Sequence, residues 1–340
     1  MSPLQQDLAI AAVKVVAIFG VLLTLFAVMT WVERRALAFM QFRLGPNRTG
    51  PFGILQPMAD GIKLFFKEEV MPAGANKWIF LAAPAVAVIT AFMSIAVVPY
   101  GQPFHAFGRE ITLQIADLDV GVLYVFAISS LGVYGVVMAG WAANNKYSLL
   151  GGLRASAQMF SYELALGLSW VGVIMLASSF RIQEIVTAQA GGLYHWNAVR
   201  QIVAFIIYMT AATAEVSRTP FDLPEGETEL VAGFHTEYSS MRFALLQMAE
   251  YVNMITVAAL GTNLFLGGWL SPFPGLIPDS TLWFMAKVLS LLFVFIWLRG
   301  TLPRLRYDQL MSFGWKVLVP LAVLNILVTA GAVAFFGAGR

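Results

Sequence analysis

The sequence predicts an all-α integral membrane protein, and three observations support that prediction. Hydrophobic residues make up 59% of the 340 residues, and charged residues make up only 12%. Soluble domains carry about 25% charged residues, because water has to solvate their surface. Apolar stretches long enough to cross a bilayer as a helix recur along the chain. A soluble globular protein is thereby excluded, and so is a disordered chain, which requires low hydrophobicity.

Eight of these stretches are long and apolar enough to be transmembrane helices. The first lacks the basic start and the cleavage site of a signal peptide, so we expect it to remain as a span. No internal repeat or soluble appendage is evident, so the sequence predicts a single membrane domain over 1–340. The predicted spans lie near 10–32, 78–98, 120–142, 161–180, 198–216, 251–271, 282–300 and 317–338.

Basic residues predict the orientation of these spans. The connections after odd-numbered spans hold fifteen lysines and arginines, whereas those after even-numbered spans hold Arg109 and Arg181, with Arg200 close by. Cytoplasmic loops carry the excess of such residues, so both termini are expected on the opposite, periplasmic side. Lys14 and Lys287 fall inside spans, and we expect their side chains to extend to the membrane surface.

The connection after the first span contains a predicted amphipathic helix near 53–69. Its apolar residues recur at steps of three and four, and charged residues fill the other faces. This pattern is typical of a helix that lies in the plane of the membrane surface, although a helix packed under the bundle would share it. The apolar residues are Ile54, Leu55, Met58, Ile62, Phe65 and Phe66.

A long acidic cytoplasmic loop is predicted over 215–250. A fully solvated loop is one interpretation, but the acids alternate with large apolar side chains, which favours a folded and partly buried segment. Its seven acids are Glu215, Asp222, Glu225, Glu227, Glu229, Glu237 and Glu250.

Three acids flank the predicted membrane ends at similar depth, namely Glu163, Glu215 and Glu250. Acids of the loop can join them. Clustered carboxyl groups in a low dielectric cannot all be ionised together, so such a cluster can store and pass protons. Acids inside a membrane protein are a functional hypothesis by default.

The connection after the seventh span is basic, with Arg299, Arg304 and Arg306 close together. It predicts either a simple cytoplasmic anchor or a surface for an acidic partner or a polar headgroup. The rest of the composition is restrictive. The absence of cysteine excludes disulfides, iron–sulfur ligands and thiol catalysis, and three scattered histidines give no metal motif. The 21 basic and 19 acidic residues give no reason to expect nucleic acid.

One run of residues, SRTPFDLPEGE from Ser217 to Glu227, closely resembles the signature of the NuoH family, a membrane subunit of proton-translocating NADH:quinone oxidoreductase, respiratory complex I. One small departure is Glu215-Val216-Ser217-Arg218, where the family more often has Glu-Thr-Asn-Arg, but both flanking charges remain. Four further blocks agree with the family in order along the chain. They are Glu33–Arg35, Arg43–Asn47 with Leu55–Gly61, Arg154–Gln158 with Ser161–Glu163, and Pro303–Met311.

The resemblance implies an eight-helix subunit at the heel of an L-shaped complex in the bacterial inner membrane. Its partners would be other membrane-arm subunits and the quinone-site and iron–sulfur subunits of the peripheral arm. Flavin and iron–sulfur clusters would reside in those partners, with no cofactor bound by this chain and quinone as the substrate. Lipid surrounds such a subunit, and quinone reaches it from the bilayer.

The resemblance also assigns two sets of residues by motif. The quinone chamber would use Arg34, Arg35, Arg43, Asp60, Lys63, Phe234, Arg304 and Arg306. Proton coupling would use Glu163, Glu215, Arg218, Asp222, Glu225, Glu227, Glu229 and Glu250.

Three other functions compete with this interpretation. The equivalent subunit of a membrane-bound hydrogenase or formate-hydrogen lyase shares the acidic loop but has no quinone, and the intact blocks at 43–47 and 56–61 favour the quinone branch. A secondary transporter usually shows repeat symmetry and polar groups at mid-membrane, whereas the polar density here lies near one face. A purely structural anchor would tolerate replacement of Glu163 or Glu215 by Gln without loss of proton pumping.

Overall fold

The computed structural model describes residues 3–106, 109–224, 226–275 and 277–337. Helices dominate these residues, and a short antiparallel hairpin pairs β1 (Phe104–Ala106) with β2 (Arg109–Ile111). The α-helices are α1 (Pro3–Met40), α2 (Gln56–Phe66), α3 (Lys77–Ser94), α4 (Gly121–Ala142), α5 (Lys146–Ala177), α6 (Ile182–Thr187), α7 (Asn197–Arg200), α8 (Ile202–Glu215), α9 (Glu227–Leu230), α10 (Ser240–Phe265), α11 (Thr281–Thr301), α12 (Tyr307–Phe313) and α13 (Val319–Gly337).

Seven helical segments in the described residues are long and apolar enough to cross a membrane. They include α1, α3, α4, α5, α10 and α11, and the seventh runs from α12 through a π-helical turn (Gly314–Leu318) into α13. This agrees with the predicted all-α membrane class. The remaining predicted span corresponds to α8, which has 14 residues. A helix of that length rises about 21 Å, less than the roughly 30 Å of a hydrocarbon core, so the eighth span stays a prediction.

Two helices begin well before the predicted spans. Helix α5 starts at Lys146 instead of near 161, and α10 starts at Ser240 instead of near 251. Tertiary hydrogen bonds explain the longer α5, because the fully buried Gln158 amide donates to the carbonyls of Ala214 at 2.8 Å and Phe221 at 2.7 Å. Hydropathy misses such a segment because it counts a polar side chain as exposed.

The predicted amphipathic segment forms a short 3₁₀ turn (Pro51–Gly53) followed by α2, which is shorter than expected. No side chain of α2 is buried, and Met58, Ile62 and Phe65 are each more than half exposed. The end of α2 is attached to α10, since the Ser240 hydroxyl donates to the Leu64 carbonyl at 2.9 Å. Helix α2 therefore presents an apolar face to the surroundings, as a helix at a membrane surface does.

The bundle has two distinct ends, which we name by their loops. At the inner end, predicted to be cytoplasmic, the loops after α1, α4, α8 and α11 meet. Asn145 there donates to Glu237 at 2.5 Å, and the Leu305 N–H donates to the Pro220 carbonyl at 3.1 Å. At the outer end, the loops after α3, α5, α10 and β2 meet, and Gln102 donates to Asp279 at 3.3 Å.

The outer end of α10 is closed by amide and ammonium groups. The Gln189 amide donates to the Asn263 carbonyl at 2.9 Å, and the Asn197 amide donates to that of Leu264 at 2.8 Å. The Lys287 ammonium donates to three carbonyls, those of Leu266, Gly268 and Leu270, at 2.7–2.9 Å. The expectation that Lys287 reaches the membrane surface is therefore wrong, because its three donors are all used inside the protein.

Candidate functional site

A polar cavity of about 470 Å³ lies at the inner end, between α1, α2, α10 and α11. Helix α2 forms its side wall, and the short 3₁₀ turn Gly233–His235 forms part of its back. That turn packs tightly on α5, because a Cβ at Gly151 would lie 2.7 Å from the Gly233 Cα. The charged and polar residues that line the cavity are Thr30, Glu33, Arg34, Asp60, Arg218, His235, Gln247, Tyr251 and Arg299.

At one side of this cavity, three of the predicted chamber residues form a group of ion pairs. Arg34 contacts Asp60 at 2.6 Å, and Lys63 lies 3.7 Å from the same carboxylate. Gln56 also donates to Asp60, at 3.1 Å. Half of the Arg34 side chain is exposed, so this group marks the rim of the cavity and α2 holds it against α1.

The opposite wall holds a buried acid that sequence reasoning missed as a site residue. Glu33 is 3% exposed and accepts hydrogen bonds from Arg218 at 3.2 Å, from the Tyr251 hydroxyl at 2.7 Å and from Arg299. Two guanidinium groups and a phenol thus compensate one carboxylate, which is how a buried charge is retained. The four residues come from widely separated segments, so no local pattern could reveal that they meet.

Arg218 connects this wall to the acidic segment. Burial opposes its charge, but the carboxylates of Glu33 and Glu250 hold the pKa of its guanidinium above the usual range. The guanidinium also lies 4.6 Å from the centre of the Tyr251 ring, within cation–π distance. On its other side, Arg218 shares a small recess with Asp222, Glu250 and Arg299. Two fixed positive charges, Arg218 and Arg299, therefore border both the main cavity and the recess next to the acidic segment.

A second, smaller cavity of about 60 Å³ lies inside the bundle and is mostly apolar. A water needs roughly 10–15 Å³ of such space and two or more polar partners, so a few waters fit. One partner is the Glu215 Oε2, which is buried and has no hydrogen-bond partner in the described residues. The polar lining comprises Thr90, Ser94, Ser129, Glu215, Ser217, Glu250, Asn253 and Thr256.

Glu163 lies in the middle of α5, between Met159 and Leu166, which line this cavity. It is 5% exposed, and the Ser130 hydroxyl of α4 is its hydrogen-bond partner. Glu163 is close enough to Glu215 for the two charges to repel. No ion pair to either acid exists among the described residues, in contrast to Glu33.

The other predicted coupling residues have separate locations. Glu229 points outward and forms a half-exposed ion pair with Arg154 at 2.6 Å. Glu227 begins α9, but the position of its side chain is not described, and Glu225 lies outside the described residues. The structure thus brings together Glu163 with Glu215, and Arg218 with Asp222 and Glu250.

Most of the remaining predicted chamber residues do not line the main cavity. Arg35 is surrounded by the rings of Trp31, Phe39 and Phe52, each 5.5–5.6 Å away, beside a separate recess of about 310 Å³. Phe234 is buried and lines the small cavity.

The three other basic residues are at the surface or near it. Arg43 donates to Gln41 at 2.7 Å, and exposed Arg306 pairs with Asp308 through two contacts of 2.6 Å. The guanidinium of Arg304 faces Gly226, where an added Cβ would lie 3.0 Å from it. Among the described residues, none of these three lines the main cavity.

His235 is a further cavity residue that the sequence did not single out. Its ring centre lies 3.9 Å from that of Phe234 and 5.5 Å from that of Phe243. Burial among these rings lowers the pKa of His235 to about 3. The imidazole is therefore neutral at physiological pH and can serve as a hydrogen-bonding group but not as a fixed charge. In the described residues, no group of three or more His, Cys, Asp or Glu residues is arranged to hold a metal ion.

The comparisons with known proteins agree with the sequence motifs. The sequence profile of the NADH dehydrogenase family matches residues 13–330. The first of two NADH-quinone oxidoreductase H subunits from Geobacter metallireducens is 56% identical over 329 residues, which cover 97% of this chain and 98% of that protein.

Two further relatives extend the match to other organisms. The second NADH-quinone oxidoreductase H subunit from Geobacter sulfurreducens is 54% identical over 98% of this chain and all of its own length. The H subunit from Thermomicrobium roseum is 51% identical over 98% of both chains. The resemblance to this membrane subunit of complex I is confirmed, and this chain belongs to the NADH dehydrogenase family of membrane subunits.

Proposed function

We propose that this chain forms the membrane side of a quinone-access chamber and couples quinone reduction to proton translocation through its buried acids. The observation that carries the proposal is the position of Arg218, which bonds Glu33 in the wall of the 470 Å³ cavity and shares a recess with Glu250. A charge change in the cavity can thus act on the acids through one guanidinium.

The main cavity supports binding of a quinone headgroup. Small-molecule sites measure roughly 300–1,000 Å³ and combine apolar walls with a few polar groups, as this cavity does. Helix α2 lies at its side with an exposed apolar face, which offers an isoprenoid tail a route out of the bilayer. Neutral His235 and Arg34 supply hydrogen bonds to quinone oxygens within this volume.

The electrostatics of the inner end support the coupling. Two-electron reduction of a quinone requires two protons, so transient negative charge develops next to Arg218 and Arg299. A unit charge about 4 Å away changes a neighbour's energy by about 4 kcal/mol at an effective dielectric of 20. Such a charge weakens the hold of Arg218 on Glu250 and favours proton uptake there. The small cavity then links Glu250 to Glu215 through a few waters.

The remaining roles follow from membership of a multi-subunit complex. Electrons reach the quinone from flavin and iron–sulfur clusters of partner subunits, and protons leave towards other membrane-arm subunits. The exposed ion pairs at 154–229 and 306–308 face the inner end, where a peripheral arm docks. The inner end faces the cytoplasm of a bacterium and both termini face the periplasm. This arrangement makes the chain part of a proton-translocating enzyme.

Photolabelling tests the chamber. A photoreactive quinone analogue added to the purified complex is expected to label peptides of α2 and of 232–247, and excess natural quinone should prevent the labelling. The exposed face of α1 around Val16, Gly20 and Thr24 serves as an internal control, because lipid-dissolved probe reaches it equally. Labelling confined to that face would refute the chamber.

A pair of glutamine variants tests the coupling. Glu163→Gln should abolish proton pumping in proteoliposomes while quinone reductase activity with an uncoupler persists, because the side chain keeps its size but loses its proton. Glu184→Gln at the outer surface is the matched control. Normal pumping by the Glu163 variant would favour a structural anchor. If the quinone analogue labels neither peptide specifically in a wild-type complex that pumps protons normally, the hydrogenase-type relative is favoured.

A further inference from the structure

Ser130 of α4 is placed between a backbone carbonyl and Glu163, a buried acid proposed for coupling. Its Oγ lies 2.9 Å from the Phe126 carbonyl oxygen and is also hydrogen-bonded to Oε1 of Glu163 on α5. The hydroxyl of Ser129 reaches the same Phe126 carbonyl, at 3.0 Å. Two serine hydroxyls thus share one carbonyl, and one of them also contacts the acid at the α4–α5 interface.

The count of hydrogens and lone pairs does not allow all these contacts at once. A serine hydroxyl has one hydrogen, and a carbonyl oxygen has two lone pairs. The Phe126 carbonyl faces three donors, namely the helical N–H of Ser130 and the two hydroxyls. The Ser130 hydrogen therefore points either to the carbonyl or to Glu163. The direction depends on whether Glu163 carries its own hydrogen.

Two complete arrangements follow. When Glu163 is ionised, Ser130 donates to its carboxylate and Ser129 donates to the carbonyl. When Glu163 is protonated, its O–H donates to the Ser130 oxygen, Ser130 donates to the carbonyl, and the Ser129 hydroxyl turns towards the small cavity that it lines. Two hydroxyl hydrogens turn between the two arrangements, and no heavy atom has to move. Every proton is accounted for, since the only gain is the one that Glu163 takes up.

Ordinary back-bonding does not explain this arrangement. Serine and threonine in helices commonly donate to the carbonyl four residues earlier, as Ser290 does to Ala286 at 2.8 Å. Ser130 differs because a buried acid is its second partner. That acid is 5% exposed, and the charged group facing it is Glu215. Ser130 is therefore the group that can satisfy Glu163 in either protonation state.

We propose that Ser130 is a positioning residue for proton transfer, and that its hydroxyl reverses direction when Glu163 gains or loses a proton. This inference rests on the proposed coupling role of Glu163 and adds a residue to it. By donating to the charged form and accepting from the neutral form, Ser130 keeps Glu163 in one orientation beside the small cavity. Proton uptake and release then require no rotamer change.

Redox-difference infrared spectra of the intact complex test the reversal. Protonated carboxyl groups give a C=O band that is separate from the carboxylate bands, and the band lost in Glu163→Gln belongs to Glu163. In Ser130→Ala that band should move to higher wavenumber, because the acid loses its hydrogen-bond acceptor. Ser130→Thr restores the hydroxyl and should restore the band position. Ser290→Ala, a matched removal of a back-bonding hydroxyl, should leave the band unchanged.

The outcomes separate this proposal from the coupling function. An unmoved Glu163 band in Ser130→Ala overturns the reversal, and so does the absence of any Glu163 acid band in the wild-type complex. A shifted band in a complex whose Glu163→Gln variant still pumps normally supports the reversal and refutes the coupling role instead. If Ser130→Ala assembles poorly, Ser130→Thr and Ser130→Gly provide the same comparison with and without a hydroxyl.

Discussion

The two ends of the bundle bury polar groups in different ways. At the outer end, Lys287 uses all three of its donors on carbonyls, and the Gln189 and Asn197 amides cap the carbonyls beside them. At the inner end, Glu215 keeps a buried oxygen without a partner in the described residues, next to a cavity. Among the described residues, the outer end also holds buried polar atoms without a partner, Trp196 Nε1 and Asn263 Oδ1, but these groups carry no charge, whereas the Glu215 carboxyl can change its charge. This difference favours a structural role for the outer end and supports the proposed coupling role of the inner end.

The inner end is itself divided. Glu33 is compensated by Arg218 and Arg299, whereas Glu163 and Glu215 have no basic partner among the described residues. The same residue type thus has two roles, which its surroundings decide. The following predictions test both divisions, ordered by the expected change in the free energy of unfolding.

Removing Arg218 should cause the largest loss of stability, because Arg218 contacts the compensated acid Glu33 and also borders Glu250. Arg218→Met leaves Glu33 and Glu250 short of a buried partner, which costs about 3–5 kcal/mol. We expect poor assembly of the complex and a lower melting temperature, measured on membranes and on purified complex. Exposed Arg48→Met should change neither. Normal assembly of the Arg218 variant would show that the Glu33 group is not a structural requirement.

Removing Lys287 tests the outer end alone. Lys287→Met leaves three carbonyls without their donor, and we expect a loss of about 3 kcal/mol. Hydrogen exchange should increase at the end of α10, while the number of protons pumped per quinone stays the same in assembled complex. Lys67→Met, at an exposed position, is the control. A changed pumping ratio would contradict the assignment of the outer end to stability.

Acid should destabilise the inner end through His235. Its folded pKa is about 3 and its ordinary value is 6.5, so the unfolded chain binds more protons between these values. The stability contribution is complete above pH 6.5 and decreases as the pH falls towards 3, by up to about 1.4 kcal/mol per pH unit. His235→Gln should flatten this dependence in thermal melts, whereas exposed His105→Gln should preserve it.

Glu215→Gln should change stability least, and it tests the difference between acids with and without a basic partner at the inner end. Removing a repelling buried acid that lacks a basic partner in the described residues costs little, so we expect a melting temperature equal to or above that of the wild type. Glu33→Gln, by contrast, should lower it, because two guanidinium groups lose their carboxylate. Equal destabilisation by the two variants would abolish the distinction between compensated and uncompensated acids.

The membrane class and most spans could be predicted because apolar length is a property of contiguous residues. Seven helices of sufficient length in the described part of the chain confirm the class. The early starts of α5 and α10 could not be predicted, since Gln158 is satisfied by carbonyls more than 50 residues away in sequence. The motif match supplied Arg34, Asp60 and Arg218, but the partners Glu33, Tyr251 and Arg299 emerge only when four distant segments meet.

The amide of Gln158 mechanically connects the compensated and the uncompensated acids of the inner end. It is joined to the last turn of α8 and to Phe221, on either side of Arg218, and it lies five residues before Glu163 on the same helix. A twist or slide of α5 at this level must carry the Arg218 segment with it. Movement of the helix that bears Glu163 would therefore also change the distance between Arg218 and the acids on other helices. A mechanical displacement of α5 would in this way alter the electrostatic potential at those acids.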